Sequence, residues 1–187
     1  MSNSGGPDLK NALQVGNSRS SRFTATAADT FSKEWRVVEH QANTTTGFSG
    51  TLFENANTRE LVLSFRSTEF IDDNARDNKA TNELELNEFG WAFGQIADME
   101  SWYQTLKAKP ELLGRKFTVT GYSLGGHLAA AFAMLRDADA TAGEGNPIAQ
   151  AYTFNGVNRG QIPISLAAGR PIVSTGAAPW DSAAEWL

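Results

Sequence analysis

The chain has 187 residues, 41% of them hydrophobic and 20% charged, which suffices for one domain with a core of its own. A formal net charge of −5 and a pI near 5.1 argue against nucleic acid and against an electrostatically held membrane surface as partners. Without cysteine there is no disulfide and no thiolate metal site, and the longest apolar stretch, Leu128 to Leu135, is too short to cross a bilayer.

In chain order, residues 1–32 read as a loosely structured lead-in rich in Ser, Gly, Asn, Thr and Ala, with a short helix near Asp8–Val15. Its first residues lack the basic and apolar regions of a Sec signal peptide. The remainder, 33–187, reads as one domain. Glu34–His40 is a predicted strand. Gly47–Phe53 and Glu60–Arg66 are two more, joined by the polar turn Asn55–Arg59 as a hairpin. Leu61, Val62, Leu63 and Phe65 put apolar residues on both faces of the second arm, as in a covered sheet. Residues 67–88 are polar and acidic, a loop or broken helix.

A helix is predicted from Trp91 to Lys107, because Ile96, Met99, Tyr103 and Leu106 recur at helical spacing. Pro110 and Gly114 close it before the strand around Phe117–Thr120. A second helix follows, with Leu128, Phe132 and Leu135 as its buried stripe. Asp137–Pro147 is a predicted loop, Ala149–Phe154 a strand, and Pro171–Ser174 a candidate for one more. Strand and helix alternate through this half, which calls for parallel strands covered by helices.

Between the Phe117 strand and the second helix lies Gly121-Tyr-Ser-Leu-Gly-Gly-His-Leu128, which contains G-x-S-x-G. A nucleophilic serine has to stand out from a sheet on a tight, strained turn, and Gly121 and Gly125 flank Ser123 where a β-carbon would collide with neighbours. The helix N-terminus then points its free amides at the serine, and the Leu124 amide is an oxyanion donor in waiting. An incidental serine in a glycine-rich turn is the plain alternative.

Three blocks resemble the class 3 lipases, a branch of the α/β-hydrolase fold. They are Leu61-Val-Leu-Ser-Phe-Arg-Ser-Thr-Glu69, Phe117-Thr-Val-Thr-Gly-Tyr-Ser-Leu-Gly-Gly-His-Leu-Ala129 and Ala151-Tyr-Thr-Phe-Asn-Gly156. Thr46–Phe53 is also similar to bacterial members found within larger secreted calcium-binding proteins. The resemblance covers about residues 33–160 and implies an α/β-hydrolase-like, mostly parallel sheet flanked by helices, with N-terminal antiparallel hairpin strands. It implies Ser123 as acyl-accepting nucleophile, and Leu124 and Thr68 as the oxyanion hole. It also implies an extracellular location. Two positions depart from the family pattern. Ser67 stands where the family has glycine, so a positive φ there would strain it. Tyr122 stands where the family usually has histidine.

The general base is the gap. A serine hydroxyl needs one, usually histidine oriented by a carboxylate, in the order Ser, Asp, His. The chain has two histidines, His40 and His127. His40 precedes the serine on an early strand, and His127 reads as packing beside the sheet, so the histidine base is not identified. Asp181 falls where the family's acid occurs, with a solvated terminal carboxylate as the other reading. No histidine follows it, which suggests a C-terminally incomplete domain.

Other features read as structural. Asp72, Asp73 and Asp77 lack the ligand spacing of a calcium loop, so no metal site is expected. Trp91, Phe93, Trp102 and Tyr103 could line an acyl pocket but read mostly as helix-face core, the Gly90–Phe93 end being able to border the site. Trp180 and Trp186 have no assigned role.

The expectation is therefore a serine carboxylic ester hydrolase, a lipase or esterase, acting on an ester or lipid substrate with no cofactor. Three rivals stand beside it: a weak or inactive fragment that binds lipid-like ligands, an acyltransferase using the same serine, and a structural α/β domain. No transmembrane segment is expected, and the sequence leaves the oligomeric state open.

Overall fold

The structure, a computed structural model, describes residues 7–16, 22–67 and 92–156. Its elements in order are α1 (Pro7–Val15), α2 (Ala25–Glu34), β1 (Trp35–Gln41), β2 (Gly50–Asn55), β3 (Leu61–Phe65), α3 (Phe93–Lys107), β4 (Phe117–Tyr122), α4 (Leu124–Thr141) and β5 (Ile148–Phe154). The strands form a five-stranded sheet in the order β1-β2-β3-β4-β5. The first three are antiparallel, and β3, β4 and β5 run parallel. The fold is mixed α/β. The β2–β3 hairpin turns on Asn55, whose Oδ1 accepts from the amides of Asn57 at 2.9 Å and Thr58 at 3.0 Å. Such side-chain turns are why asparagine marks the end of a strand.

One face of the sheet carries the main core. Leu52, Leu61, Leu63, Phe65 and Val119 meet Ile96, Met99, Trp102 and Leu106 of α3 and Leu128, Phe132 and Leu135 of α4. Each such side chain, fully buried, contributes about 1.5–3 kcal/mol. Rings interlock across the two helices: Tyr103 meets Phe132 edge-on at 4.9 Å, and Phe132 meets Phe65 at 5.6 Å. Gly50 leaves room for Trp102, since a β-carbon there would lie 3.0 Å from the ring's Cη2. Residues alternate across a strand, so Phe53 looks away from this core. There Phe31 of α2 meets it edge-on at 5.5 Å.

Three segments differ from the sequence expectation. Ala25–Glu34, read as loose lead-in, is a helix capped by Thr24, whose Oγ1 accepts from the Ala27 amide at 3.2 Å. Asp137–Thr141, expected in a loop, continues α4. There Arg136 braces the last turns, with Nε 2.8 Å from Asp139 Oδ2. The buried part of α4 is also no stripe, because every residue from Leu124 to Phe132 is buried. Pro171–Ser174, the acidic residues of 67–88 beyond Ser67, Trp91, Trp180 and Trp186 lie outside the described residues.

The buried row of β2 ends on a charge. Glu54 is fully buried and its carboxylate gathers Arg36, Arg59 at 3.1 Å and Arg115 at 3.1 Å. Burial pushes its pKa up, but hydrogen bonds from Arg36 and Arg115 and the charges of Arg36 and Arg59 outweigh it, so the carboxyl is held below its ordinary 4.5. Glu54→Ala removes the shared carboxylate, but all three cations reach solvent, so the expected cost is ~1–3 kcal/mol at pH 7. A carboxyl with a depressed folded pKa stabilises fully above the ordinary value and loses that contribution as pH falls through the depressed one. The stability gap between the natural chain and Glu54→Gln, measured by urea unfolding, should therefore narrow as pH drops below 4.5. A gap that stays constant to pH 3 would refute this.

Candidate active site

Ser123 sits where β4 gives way to α4, at φ 52° and ψ −119°. That conformation is rare for a residue with a β-carbon and costs on the order of 1–3 kcal/mol, held by what surrounds it. Those surroundings are backbone against backbone. A β-carbon on Gly121 would strike the Gly125 carbonyl and lie 2.8 Å from Gly126 N. One on Gly125 would strike Phe65 O and lie 3.0 Å from Arg66 C. The first turn of α4 is thus wedged between the ends of β3 and β4.

The end of β5 completes the frame. Phe154 O accepts from the Ser123 amide at 2.8 Å, continuing the β4–β5 ladder to the serine. Asn155 then takes φ 48°, and Gly156 packs on the helix, its α-carbon 3.1 Å from where a Gly126 β-carbon would stand. Gly126 and Asn155 were not singled out from the sequence, although the Tyr-Thr-Phe-Asn-Gly block contains the signal: a strand end followed by two residues suited to a sharp bend.

Ser123 is half-exposed, while Leu124 behind it is buried. The Leu124 amide, first in its helix, has no intrahelical acceptor and donates to no backbone carbonyl among the described residues. Parallel pairing sets Phe65 opposite Gly121, which brings the end of β3 beside the turn. Arg66 is anchored there, its amide donating to Ser49 O at 3.0 Å and its guanidinium to Asn43. Ser67 is not among the positive-φ residues, which apart from glycine are Arg59, Ser123 and Asn155 in the described chain. The glycine-to-serine departure therefore brings no left-handed strain. Thr68 and Asp181 lie outside the described residues. Tyr122 is exposed, with its hydroxyl accepting from Asn155 Nδ2 at 3.5 Å.

Both imidazoles are engaged away from the serine. His40 Nδ1 lies 2.9 Å from Thr51 Oγ1 on β1, three strand spacings from β4, or ~14 Å. His127 is buried between the helices, where its Nε2 accepts from the Ala92 amide at 3.4 Å. Among the described residues neither ring is hydrogen-bonded to the Ser123 hydroxyl. His40→Ala is expected to change ester turnover less than twofold. His127→Ala removes a buried ring and an acceptor and should cost ~2–4 kcal/mol in unfolding free energy. A folded His40→Ala protein with turnover reduced a hundredfold would show that the base lies on β1 after all.

No group of three or more metal-ligating side chains occurs among the described residues, and no described helix is long and apolar enough to cross a membrane. No protein-family model matches the chain, and no curated protein does. Among solved structures it is similar to a lipase from Rhizopus microsporus var. chinensis, at 15% identity and a TM-score of 0.38, over 78% of this chain. The match takes in 55% of that lipase, so the chain spans about half its length. A likeness this loose says nothing about the chemistry.

Proposed function

We propose that the chain is a serine carboxylic ester hydrolase of lipase or esterase type, with Ser123 as nucleophile. The observation that carries this is the strained, half-exposed Ser123 at the head of a helix whose first amide has no backbone acceptor among the described residues. In the proposed cycle Ser123 Oγ bonds to the ester carbonyl carbon as its proton passes to solvent water, which returns one to the leaving alcohol. The carbonyl oxygen, now negative, is held by the Leu124 amide and, on this reading, by the Thr68 amide. The C–O bond then breaks, the alcohol leaves protonated, and water cleaves the acyl-serine to a carboxylic acid. Helix-end amides stabilise such charge because they already point at it and need not reorganise.

A fluorophosphonate probe tests the nucleophile directly, since it bonds to an activated serine without needing turnover. The adduct is expected on the peptide bearing Ser123. An adduct on another residue, or none with the folded protein, would refute the proposal.

The engagement of both imidazoles elsewhere favours a second reading, in which the site binds ester or lipid-like ligands and turns them over weakly. Serine proteases stripped of triad members keep ~10³–10⁴-fold acceleration over water from the oxyanion hole and binding. Slow but saturable hydrolysis of p-nitrophenyl butyrate is the expected behaviour.

A further inference from the structure

A cavity of about 370 Å³ opens at the N-terminal end of β4, the end away from Ser123. It lies between the loop leading into β4 and the loop leading into β5. Phe117 on its wall stands six positions before Ser123, roughly 20 Å of extended chain, so it is remote from the candidate active site. The apolar part of the wall is Tyr103, Leu112, Leu113, Phe117 and Pro147. Leu113 is 66% exposed, a cost in water unless something apolar covers it. Both loops bend at left-handed glycines, Gly114 at φ 66° and Gly145 at φ 80°. A β-carbon on either would meet nothing within 4 Å, so the rim is open.

The charges on this wall are mostly paired, and the exceptions are one lysine and one guanidinium nitrogen. Asp139 is held by Arg136, and Glu144 by Lys107 at 3.4 Å. Arg115, also on the wall, is committed to Glu54. Lys116 makes no ion pair among the described residues. Arg136 is only 3% exposed, stacked 4.5 Å from the Tyr103 ring centre, and its Nη1 has no hydrogen-bond partner. Arg136 already pairs with Glu100 at 2.5 Å and with Asp139 at 2.8 Å, so it is the N–H and not the charge that is left over, and a buried N–H without an acceptor is uncommon because its desolvation goes uncompensated.

From this wall we infer a binding site for a small amphiphilic carboxylate, its anionic end toward Lys116 and Arg136 and its apolar body against Leu113 and Phe117. The volume holds about a dozen non-hydrogen atoms at ~30 Å³ each, an octanoate-sized ion. Aromatic and aliphatic walls with a few placed charges are the usual make-up of such sites. The site is independent of ester hydrolysis, since no residue of it belongs to the serine turn.

Isothermal titration of the folded chain with sodium octanoate tests it, with 1-octanol as the uncharged counterpart. One octanoate per chain is expected to bind at ~1 mM or tighter, with octanol at least tenfold weaker. Lys116→Glu and Leu113→Asp, both at exposed positions that folding tolerates, should each weaken octanoate at least tenfold. Circular dichroism and p-nitrophenyl ester turnover should be unchanged in both. Absence of saturable binding, equal binding of octanol, or full octanoate affinity in both variants would overturn the assignment.

Discussion

Ser123→Ala is expected to abolish fluorophosphonate labelling and to cut p-nitrophenyl ester hydrolysis by on the order of a hundredfold or more, down to what binding and the helix-end amides supply without the nucleophile, with the fold intact. Whatever rate the chain shows above that level rests, on the proposed reading, on attack by Oγ with the new oxyanion held by helix-end amides. Stability supplies a second readout. The backbone at Ser123 has φ 52°, which alanine finds no easier than serine but glycine adopts freely. Ser123→Gly should therefore lose activity equally while unfolding at a higher urea concentration than Ser123→Ala. A glycine variant less stable than the alanine variant would mean that the turn is not strained, and would remove the main physical sign of a nucleophile.

The other large effect is expected at Gly125. Its missing β-carbon is what lets the first turn of α4 touch Phe65 O and Arg66 at the end of β3. These neighbours are main-chain atoms, which cannot rotate aside as a flexible side chain can. Gly125→Ala has to push α4 away from β3, and overpacking of this kind costs ~1–3 kcal/mol or more. The displacement separates the two backbone segments on which the proposed oxyanion hole depends. Turnover should therefore fall at least tenfold even in conditions where the variant stays folded. Gly114→Ala is the useful contrast. A β-carbon there meets nothing, and only the cost of φ 66° applies, so stability should drop modestly and turnover should not change. Full activity in Gly125→Ala would mean that the β3–α4 contact does not matter to the site.

The sequence made the serine turn and its neighbours legible because their constraints are local. Gly121, Ser123 and Gly125 answer to a single bend. The apolar strand before it and the alanine-rich helix after it each announce their own period. The hairpin was readable for the same reason, since Asn55 closes its turn with its own side chain. Ala25–Glu34 was not, because its small residues and single Phe31 give a weak apolar period, and only the Thr24 cap marks its start. The continuation of α4 past Asp137 depends partly on Arg136 reaching Glu100 on α3, a contact between residues 36 apart. The gathering of Arg36, Arg59 and Arg115 on Glu54 is likewise invisible along the chain, since two of its three pairs join different strands or loops far apart in sequence. Where His127 faces was partly legible from its place one turn beyond Ser123, but its contact with Ala92 comes only with the docking of α3.

The first strand has a bearing on how copies of this chain behave toward each other. β1 ends the strand order, so its outer amides and carbonyls have no described strand to pair with. Trp-Arg-Val-Val is a sequence with high strand preference, and a long flat edge of that kind would template growth by added strands. The ladder with β2 is broken at Val38, which leaves three paired residues, Trp35 to Val37, before the irregularity and three, Glu39 to Gln41, after it. A bulge twists the edge, and Arg36 and Glu39 set opposite charges on either side of the break. Any incoming strand would have to match two short registers, one on each side of the break. The irregularity in β1 thus makes this edge a poorer template for an added strand than an unbroken one would be.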